Sequence, residues 1–337
     1  MSETVLVTEL GYQKGEAVFR TVESQRVLCV KPDEESLAEA VLAHRCRAVI
    51  VGIDPYRGPL YEALARTGGE RGAVIARFGV GHDNIDKGLA RQHGILVTNT
   101  PGALDASVAE HAFWLISQLA RRLGRAEARL RAGDFSAPPG IELAGKTLGI
   151  LGCGEIGRRA AAIARFGFGM RVHAADIRPV DQLRQPGETN EAALARLGLD
   201  LYTDDVEAVF RQSDVVTLHL SANEKTRNFI NSQRLSWLKS SAMLINTARG
   251  AVIDEDALYD ALAAGRLGGA GLDVFQNEPY VPVTAGKDLR TLDNVVLTPH
   301  IGSNTHEANR RMAEVSLKNV MHFLAGQIGE TNRVEAS

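Results

Sequence analysis

Short runs of apolar residues alternate along the whole chain with segments whose apolar side chains recur at helical spacing. This alternation is typical of an α/β protein with parallel sheets. Glu34–His44 is predicted to be an amphipathic helix, and Ser107–Leu123 is predicted to be one long helix. The strands predicted in this first part of the chain are Val5–Thr8, Val27–Val30, Ala48–Val51, Ala73–Arg77 and Ile95–Asn99.

A second series of strands and helices follows Arg131–Leu143, a predicted loop that carries Gly133, Gly140 and the adjacent Pro138 and Pro139. Its predicted strands are Thr147–Leu151, Arg171–Ala175, Val215–His219, Ala242–Asn246, Gly269–Val274 and Val295–Leu297. Its predicted helices are Ile156–Phe166, Asp205–Arg211, Ser232–Leu238, Asp254–Ala264 and Thr305–Ala325. The last helix could return to pack on the first part of the chain, which predicts two domains with a cleft between them.

Length and charge exclude several classes of protein. A chain of 337 residues, 45% of them hydrophobic, favours two domains with a core each. The net charge of −3 provides no overall basic field to recruit nucleic acid or acidic membranes. One stretch is rich in arginine at helical spacing and is predicted to be the solvent-facing side of one helix. It contains Arg121, Arg122, Arg125, Arg129 and Arg131.

The three cysteines, Cys29, Cys46 and Cys153, form no CxxC pair, and their odd number argues against a disulfide framework. The N-terminus lacks the apolar core of a signal peptide, and no apolar stretch approaches the ~20 residues of a membrane helix. These features predict a cytoplasmic protein. The polar segment Val180–Leu199 is interpreted as a surface excursion.

A dinucleotide-binding fingerprint occupies the first turn of the second series. A predicted strand runs into Gly152–Gly157, a Gly-x-Gly-x-x-Gly sequence that opens a predicted helix. The next strand is followed by Asp176, nineteen residues past Gly157, close to the ~20 expected of this pattern. Gly152 would permit the tight turn, and Gly154 would let a pyrophosphate approach the helix N-terminus. Gly157 would let the helix pack close to the strand.

The acid of the fingerprint also bears on the choice of cofactor. Asp176 would accept hydrogen bonds from the adenosine ribose and would repel the 2′-phosphate of NADP, so NAD is predicted. Arg178 leaves NADP open as an alternative, because an arginine at that position can pair with such a phosphate.

Three polar residues, Arg249, Glu278 and His300, follow predicted strands of the same sheet. Ligands of open α/β sheets bind at the carboxyl ends of the strands. An arginine fork suits a carboxylate, an imidazole can give and take a proton, and a neighbouring carboxylate would orient that ring and stabilise its protonated form. Each residue alone could be an ordinary surface or turn side chain. Together they predict reduction of a 2-keto acid with hydride from a nicotinamide.

A series of ordered motifs covers nearly the whole chain. They are Gly79–Asp86, Asn99–Gly102, Val108–His111, Leu151–Gly157, Ile245–Asp254, Gly271–Phe275 with Glu278-Pro279, and Leu297–Ser303. With these motifs the sequence resembles the D-isomer-specific 2-hydroxyacid dehydrogenases, which include D-3-phosphoglycerate, glycerate, glyoxylate and D-lactate enzymes. The resemblance implies two doubly wound parallel-sheet domains: a central Rossmann NAD-binding domain, residues 103–303, inserted in a flavodoxin-like substrate domain, residues 1–102 and 304–337. It also implies a homodimer built largely on the nucleotide domain.

The resemblance assigns roles to individual residues. No metal site is predicted. It makes Arg249, Glu278 and His300 the catalytic residues. It implies that the backbone N–H groups of Val80 and Gly81 hold the substrate carboxylate, and that Asp273 meets the nicotinamide carboxamide. With the fingerprint, the predicted cofactor-binding residues are Val108, Gly152, Gly154, Glu155, Ile156, Gly157, Asp176, His219, Thr226, Thr247, Ala248, Asp273 and Gly302.

Some features leave alternatives open. His219–Asn223 reads His-Leu-Ser-Ala-Asn where the family often has His-x-Pro-Leu-Thr, so the cofactor contacts of this loop are open. Glu278 argues against the formate-oxidising relatives, which carry Gln there, and an NAD-sensing corepressor-like protein is the alternative function. The substrate is not specified. Arg77 could hold a second anionic group, such as a phosphate, or form a salt bridge within the first domain.

Overall fold

The structure is a computed structural model that describes residues 3–136 and 139–334, so Pro138 of the predicted loop lies outside it. The chain divides into two compact units. The first unit comprises the chain up to Leu104 and from Asn304 onward, and the second unit is Asp105–Ser303. The prediction of two parallel-sheet α/β domains is confirmed.

The described residues form two parallel sheets and their covering helices. The strands are β1 (Thr4–Thr8), β2 (Arg26–Val30), β3 (Ala48–Val51), β4 (Ala73–Arg77), β5 (Ile95–Thr98), β6 (Thr147–Leu151), β7 (Arg171–Ala175), β8 (Leu201–Thr203), β9 (Val215–Leu218), β10 (Met243–Asn246), β11 (Gly269–Leu272) and β12 (Val295–Leu297). The helices are α1 (Glu9–Phe19), α2 (Glu34–His44), α3 (Pro59–Gly68), α4 (Lys87–Gln92), α5 (Asp105–Arg121), α6 (Leu123–Arg131), α7 (Glu155–Ala162), α8 (Asn190–Leu197), α9 (Val206–Gln212), α10 (Ser232–Leu235), α11 (Glu255–Ala263) and α12 (His306–Leu324).

The first unit has a five-stranded sheet in the order β2-β1-β3-β4-β5. Every residue of β3 and β4 is buried, as expected for strands of a parallel sheet that is covered on both faces. The five predicted strands of this unit are present, each end within one residue of its predicted place. Helix α2 has the predicted bounds, and Asp33 caps it by accepting a hydrogen bond from the N–H of Ser36.

Helices α1, α3 and α4 of the first unit were not predicted. In α1, Gly11 and Gly15 lower helix propensity and so obscured the pattern. Gly15 has a packing role, because a Cβ atom there would lie 2.6 Å from the Cβ of Ala313. The glycine therefore allows α1 to approach α12 closely.

The second unit has a seven-stranded sheet in the order β12-β11-β10-β9-β6-β7-β8. The strand order reverses at β6, which pairs with both β7 and β9, and ligands of such sheets bind outside the carboxyl ends of the strands at this switch point. One hydrophobic cluster, including Ile116 and Ile150, covers one face of the sheet, and another, including Phe210 and Leu244, covers the other face. The short edge strand β8 was not predicted.

The prediction that the arginine-rich stretch lies on one helix is wrong. Helix α5 ends at Arg121, Arg122 adopts a left-handed conformation with φ of 52°, and α6 starts at Leu123. A left-handed residue is a common helix terminus, but glycine usually occupies it, so an arginine there gives no sequence signal. Arg131 also belongs to α6, so the predicted loop begins one residue later.

The interpretation of Val180–Leu199 as a surface excursion is right only in part, because most of its residues are exposed but the segment also contributes to the core. This segment contains α8, which Thr189 caps by accepting a hydrogen bond from the N–H of Ala192. Leu183, Leu197 and Leu199 are buried in the core of the second unit. The segment therefore covers the sheet and leads into β8.

None of the helices in the described part of the chain is both long and apolar enough to cross a bilayer.

Candidate functional site

The glycine-rich turn between β6 and α7 has the geometry that its sequence predicts. Gly152 has φ of 92°, and a Cβ atom there would lie 2.6 Å from the carbonyl oxygen of His219. A Cβ atom on Gly157 would collide with the carbonyl oxygen of Gly152. A larger residue is excluded at both positions, because the backbone of another turn or of the same turn approaches closely. At Gly152 the positive φ is a second reason.

The middle glycine of the turn differs from the other two. A Cβ atom on Gly154 would meet no heavy atom within 4 Å. Gly154 is the N-cap of α7, and Glu155 and Ile156 begin the first turn of this helix. An open approach to unpaired N–H groups at a helix N-terminus fits a pyrophosphate, which carries negative charge and needs hydrogen-bond donors.

Asp176 directly follows β7 and is tied to the same turn. Its carboxylate accepts hydrogen bonds from the N–H of Cys153 (2.7 Å) and from Nη2 of Arg178 (3.0 Å). Burial alone would raise the pKa of Asp176, but the hydrogen bonds from Arg178 and Cys153 outweigh it and hold the pKa below its usual value. The carboxylate is therefore ionised at neutral pH.

Two buried polar atoms in the loops after β9 and β10 have no hydrogen-bond partner among the described residues. They are Nδ1 of His219 and Oγ1 of Thr247. Burial lowers the pKa of His219 to about 4, so its ring is neutral at pH 7. Buried polar atoms are normally satisfied. These two atoms therefore fit a site that a polar ligand completes.

The remaining predicted cofactor residues of these loops have local partners. The N–H of Ala248 donates to Oδ1 of Asn246 at 3.0 Å. Oγ1 of Thr226 donates to the carbonyl oxygen of Ser221 at 2.7 Å, and so closes the loop that departs from the family pattern. Val108, which is also a predicted cofactor residue, lies outside these loops. It is buried on α5, with 6% of its surface exposed.

His300 and Glu278 lie together in the loops after β12 and β11. Nδ1 of His300 is 2.7 Å from Oε2 of Glu278. Both side chains are a little under one third exposed, so they are open to a ligand. The other carboxylate oxygen of Glu278 accepts a hydrogen bond from the N–H of Phe275 (3.0 Å), which fixes the carboxylate on its own turn.

Arg249 lies in the loop after β10. Asn246, the last residue of that strand, donates from Nδ2 to the carbonyl oxygen of Arg249 at 2.9 Å. Gly250, which follows, packs directly on another turn, because a Cβ atom there would overlap the backbone of Phe275 and Gln276. The turn of Arg249 and the turn of Glu278 are thus in backbone contact.

Asp273 lies between these groups and is almost fully buried, with 2% of its side chain exposed. Its Oδ1 atom accepts hydrogen bonds from Oγ1 of Thr298 (2.6 Å) and the N–H of Ile301 (2.8 Å). Its Oδ2 atom accepts from the N–H of Gly302 (2.8 Å), and Nε2 of His111 is 3.3 Å from Oδ1. Burial would raise the pKa of Asp273, but the hydrogen bonds from His111, Thr298 and the two amides keep it below its usual value.

The predicted substrate residues of the first unit follow β4. Arg77 ends that strand and is 6% exposed. Nδ2 of Asn99 donates to the carbonyl oxygen of Val80 at 2.8 Å, which holds the glycine-containing turn. Among the described residues, the N–H groups of Val80 and Gly81 make no hydrogen bond. They are therefore available to an anion.

The sequence prediction missed three residues of this region. His111 and Thr298 contact Asp273, and Glu255 is 5% exposed and accepts a hydrogen bond from the N–H of Gln276. Burial raises the pKa of Glu255. His111 belongs to the motif Val108–His111. A polar residue on a predicted helix rich in apolar residues was the sequence feature that could have marked it as a site residue.

Comparisons with known proteins show what the whole chain is similar to. Residues 113–302 match the family model for the NAD-binding domain of the D-isomer-specific 2-hydroxyacid dehydrogenases. The glyoxylate reductase of Thermococcus litoralis is 41% identical over 76% of this chain and 75% of that protein. The hydroxypyruvate reductase of Thermotoga maritima is 42% identical over 71% of this chain and 73% of that protein. A solved structure of the D-lactate dehydrogenase of Aquifex aeolicus, complexed with NAD and lactic acid, has a TM-score of 0.81 at 30% identity and covers 99% of both chains.

Proposed function

The chain belongs to the D-isomer-specific 2-hydroxyacid dehydrogenase family, and on that premise we propose that it reduces a small 2-keto acid to the D-2-hydroxy acid, with His300 as the proton donor. The observation that carries this proposal is the 2.7 Å contact between His300 and Glu278 at the carboxyl ends of the strands that follow the dinucleotide fingerprint. An acid–base pair beside a nicotinamide site is the equipment that reduction of a carbonyl group requires.

The cofactor is NAD, which when bound supplies or accepts the hydride. The open approach at Gly154 and the unpartnered atoms of His219 and Thr247 fit this group. We propose that the first turn of α7 holds its pyrophosphate and that Asp176 accepts hydrogen bonds from the adenosine ribose.

The protein's own groups supply the proton and the position of the substrate. In the direction of reduction, carbon 2 of the keto acid gains a hydride and its carbonyl oxygen gains a proton from protonated His300. The carboxylate group of Glu278 contacts Nδ1 of the ring and so orients the imidazole for the transfer. In the reverse direction, neutral His300 removes the hydroxyl proton.

We propose that Arg249 binds the substrate carboxylate with its planar guanidinium. For the first unit, we propose that the free N–H groups of Val80 and Gly81 bind an anionic group. The relatives' names point to short 2-keto acids such as glyoxylate, hydroxypyruvate and pyruvate. We assign Arg77 to a second anionic group of a substrate that has one. From the resemblance we also propose a cytoplasmic homodimer.

The test is a panel of 2-keto acids assayed with NADH, including glyoxylate, hydroxypyruvate, pyruvate and phosphohydroxypyruvate, with chiral analysis of the products that have a stereocentre. We expect D products and a loss of turnover of ~10²–10⁴ in His300→Ala, with NADH binding retained. His306→Ala is a matched control, because His306 is a histidine outside the proposed site, at the start of α12. No turnover of any keto acid, or mainly L product, would refute the proposal.

A further inference from the structure

The chain that follows α12 covers the edge of the first unit's sheet at β5. The N–H of Asn99 donates to the carbonyl oxygen of Asn332 at 3.1 Å, and the N–H of Val334 donates to the carbonyl oxygen of Val97 at 2.9 Å. An antiparallel bridge lies between these two hydrogen bonds. Residues 332–334 therefore run as a short antiparallel strand along an edge that would otherwise present unpaired backbone groups.

Asn319 on α12 joins this segment to the end of β5. It is almost fully buried, with 1% of its surface exposed. Oδ1 of Asn319 accepts hydrogen bonds from the N–H and from Nδ2 of Asn332, at 2.9 and 3.1 Å. Nδ2 of Asn319 donates to the carbonyl oxygen of Asn99 at 2.8 Å. Because a buried polar group is costly to leave without its partner, this side chain holds the backbone of Asn99 in place.

Asn99 and the residue after it hold the turn that follows β4. Nδ2 of Asn99 donates to the carbonyl oxygen of Val80 at 2.8 Å. The N–H of Thr100 donates to the carbonyl oxygen of Gly79 at 3.1 Å. Two successive carbonyl groups of the turn are thus fixed by two successive residues at the end of β5.

These carbonyl groups set the direction of the two N–H groups of the turn. The carbonyl of Gly79 shares a peptide group with the N–H of Val80, and the carbonyl of Val80 shares one with the N–H of Gly81. Both peptide bonds are trans, so each N–H points opposite to its carbonyl. With the carbonyls held at the end of β5, both N–H groups are directed away from it, where no described residue accepts them.

We propose that Asn99 and Asn319 are positioning residues for an anion-binding turn. Asn99 sets the direction of the N–H groups of Val80 and Gly81, and Asn319, held by residues 332–334, sets the place of Asn99. This role rests on the proposed function, in which these N–H groups bind an anionic group. A contact that binds substrate and transition state equally affects KM and leaves kcat unchanged.

The first test compares KM and kcat of wild type, Asn99→Ala, Asn319→Asp and the double variant, with saturating NADH and the keto acid of highest turnover. Asn319→Asp keeps an acceptor for Asn332 but places an oxygen against the carbonyl oxygen of Asn99. We expect each single variant to raise KM at least fourfold while kcat changes less than twofold. The KM of the double variant should exceed that of Asn99→Ala by less than twofold, because Asn319 acts through Asn99.

A smaller rise of KM in Asn319→Asp, a twofold or larger fall in kcat, or fold changes that multiply in the double variant overturn the proposal. Ser316→Ala is the matched control on the same helix. Ser316 is fully buried, and its hydroxyl donates to the carbonyl oxygen of Ala313 within α12. The control should keep the KM of wild type.

A pair of variants at Asn332 leaves the buried asparagine intact and so covers the case in which Asn319→Asp does not fold. Asn332→Pro removes both hydrogen bonds to Oδ1 of Asn319, and Asn332→Ala removes only that from Nδ2. Proline suits this place, because the preceding Thr331 is extended, with ψ of 148°. We expect KM to rise at least threefold in the proline variant and less in the alanine variant. Equal KM values in the two variants contradict the role of this segment.

Hydrogen exchange followed by mass spectrometry measures the positioning without turnover. In Asn319→Asp or Asn332→Pro, peptides that cover residues 79–86 and 97–103 should exchange at least threefold faster than in wild type, with no change in peptides that cover β3. Unchanged exchange of the turn overturns the proposal. Failure of the proposed function would look different: wild type would turn over no keto acid, or Asn99→Ala would show faster exchange of the turn at the KM of wild type.

Discussion

Arg178 donates from Nη2 to the carbonyl oxygen of Cys153 at 2.8 Å, so its guanidinium is tied to the glycine-rich turn. It is paired with Asp176 at the same time. An arginine held in this way, next to an ionised carboxylate, does not present a free cation to a 2′-phosphate. The structure therefore favours NADH over NADPH.

Asp176→Ala should weaken the use of NADH and improve that of NADPH, because the substitution removes the repelling carboxylate and releases Arg178. We expect the ratio of kcat/KM for the two cofactors to shift by about tenfold or more, which corresponds to roughly 1.4 kcal/mol. The double variant Asp176→Ala with Arg178→Ala is the control and should lose the gain with NADPH. Wild-type protein that already prefers NADPH would contradict this account.

Glu278→Gln should lower the rate of keto acid reduction. The contact with Nδ1 of His300 can persist, but the carboxylate that faces the ring is lost. We expect kcat to fall by about tenfold, which corresponds to about 1.4 kcal/mol of the barrier, with thermal stability close to that of wild type. A kcat equal to that of wild type would show that Glu278 does not act on His300.

Gly250→Ala should disturb two functional turns at once, because its methyl group would overlap the backbone of Phe275 and Gln276. Overpacking of this kind typically costs ~1–3 kcal/mol, and the displaced turn carries Glu278. We expect a lower Tm and a lower kcat. Gly124→Ala is the matched control, because a Cβ atom there meets only Oε1 of Gln118, at 3.6 Å, and α6 should be stabilised by up to about 1 kcal/mol.

Stability should depend on pH through His219. Burial lowers the pKa of this histidine from 6.5 to about 4 in the folded protein, so between these values the unfolded chain binds a proton that the folded chain does not. Stability is therefore full above about pH 6.5 and falls as the pH is lowered toward 4.

His219→Gln removes this dependence. As the pH is lowered from about 6.5 to about 4, the unfolding free energy of wild type should fall by on the order of 2 kcal/mol more than that of the variant. Chemical denaturation of both proteins without cofactor at pH 7, 5.5 and 4.5 measures the difference. Parallel pH profiles for the two proteins would contradict the assignment to His219.

The sequence allowed prediction of the features that are local in the chain. Arg249, Glu278 and His300 follow apolar strands, and parallel strands bring their carboxyl ends to one edge of a sheet. His111 and Thr298 could not be assigned to Asp273 in this way, because that contact joins an interior helix position to two strand ends far away in the chain.

The errors in the fold have similar physical causes. Helix α1 was not predicted because it contains two glycines, which have low helix propensity. One of them, Gly15, is needed for close packing against Ala313. An arginine in the left-handed conformation ended α5 where no glycine marked a terminus. In Val180–Leu199, three leucines enter the core although the segment as a whole is polar.

The close approach of Gly15 to Ala313 has a consequence for synthesis on the ribosome. The first unit combines residues up to Leu104 with residues from Asn304 onward, so its core is incomplete until α12 has emerged, whereas all of Asp105–Ser303 emerges earlier. The two contacting residues are 298 positions apart (313 minus 15). At about 5–20 residues per second, the N-terminal strands wait about 15–60 s for their last helix. During that interval the face of α1 that packs on α12 is uncovered.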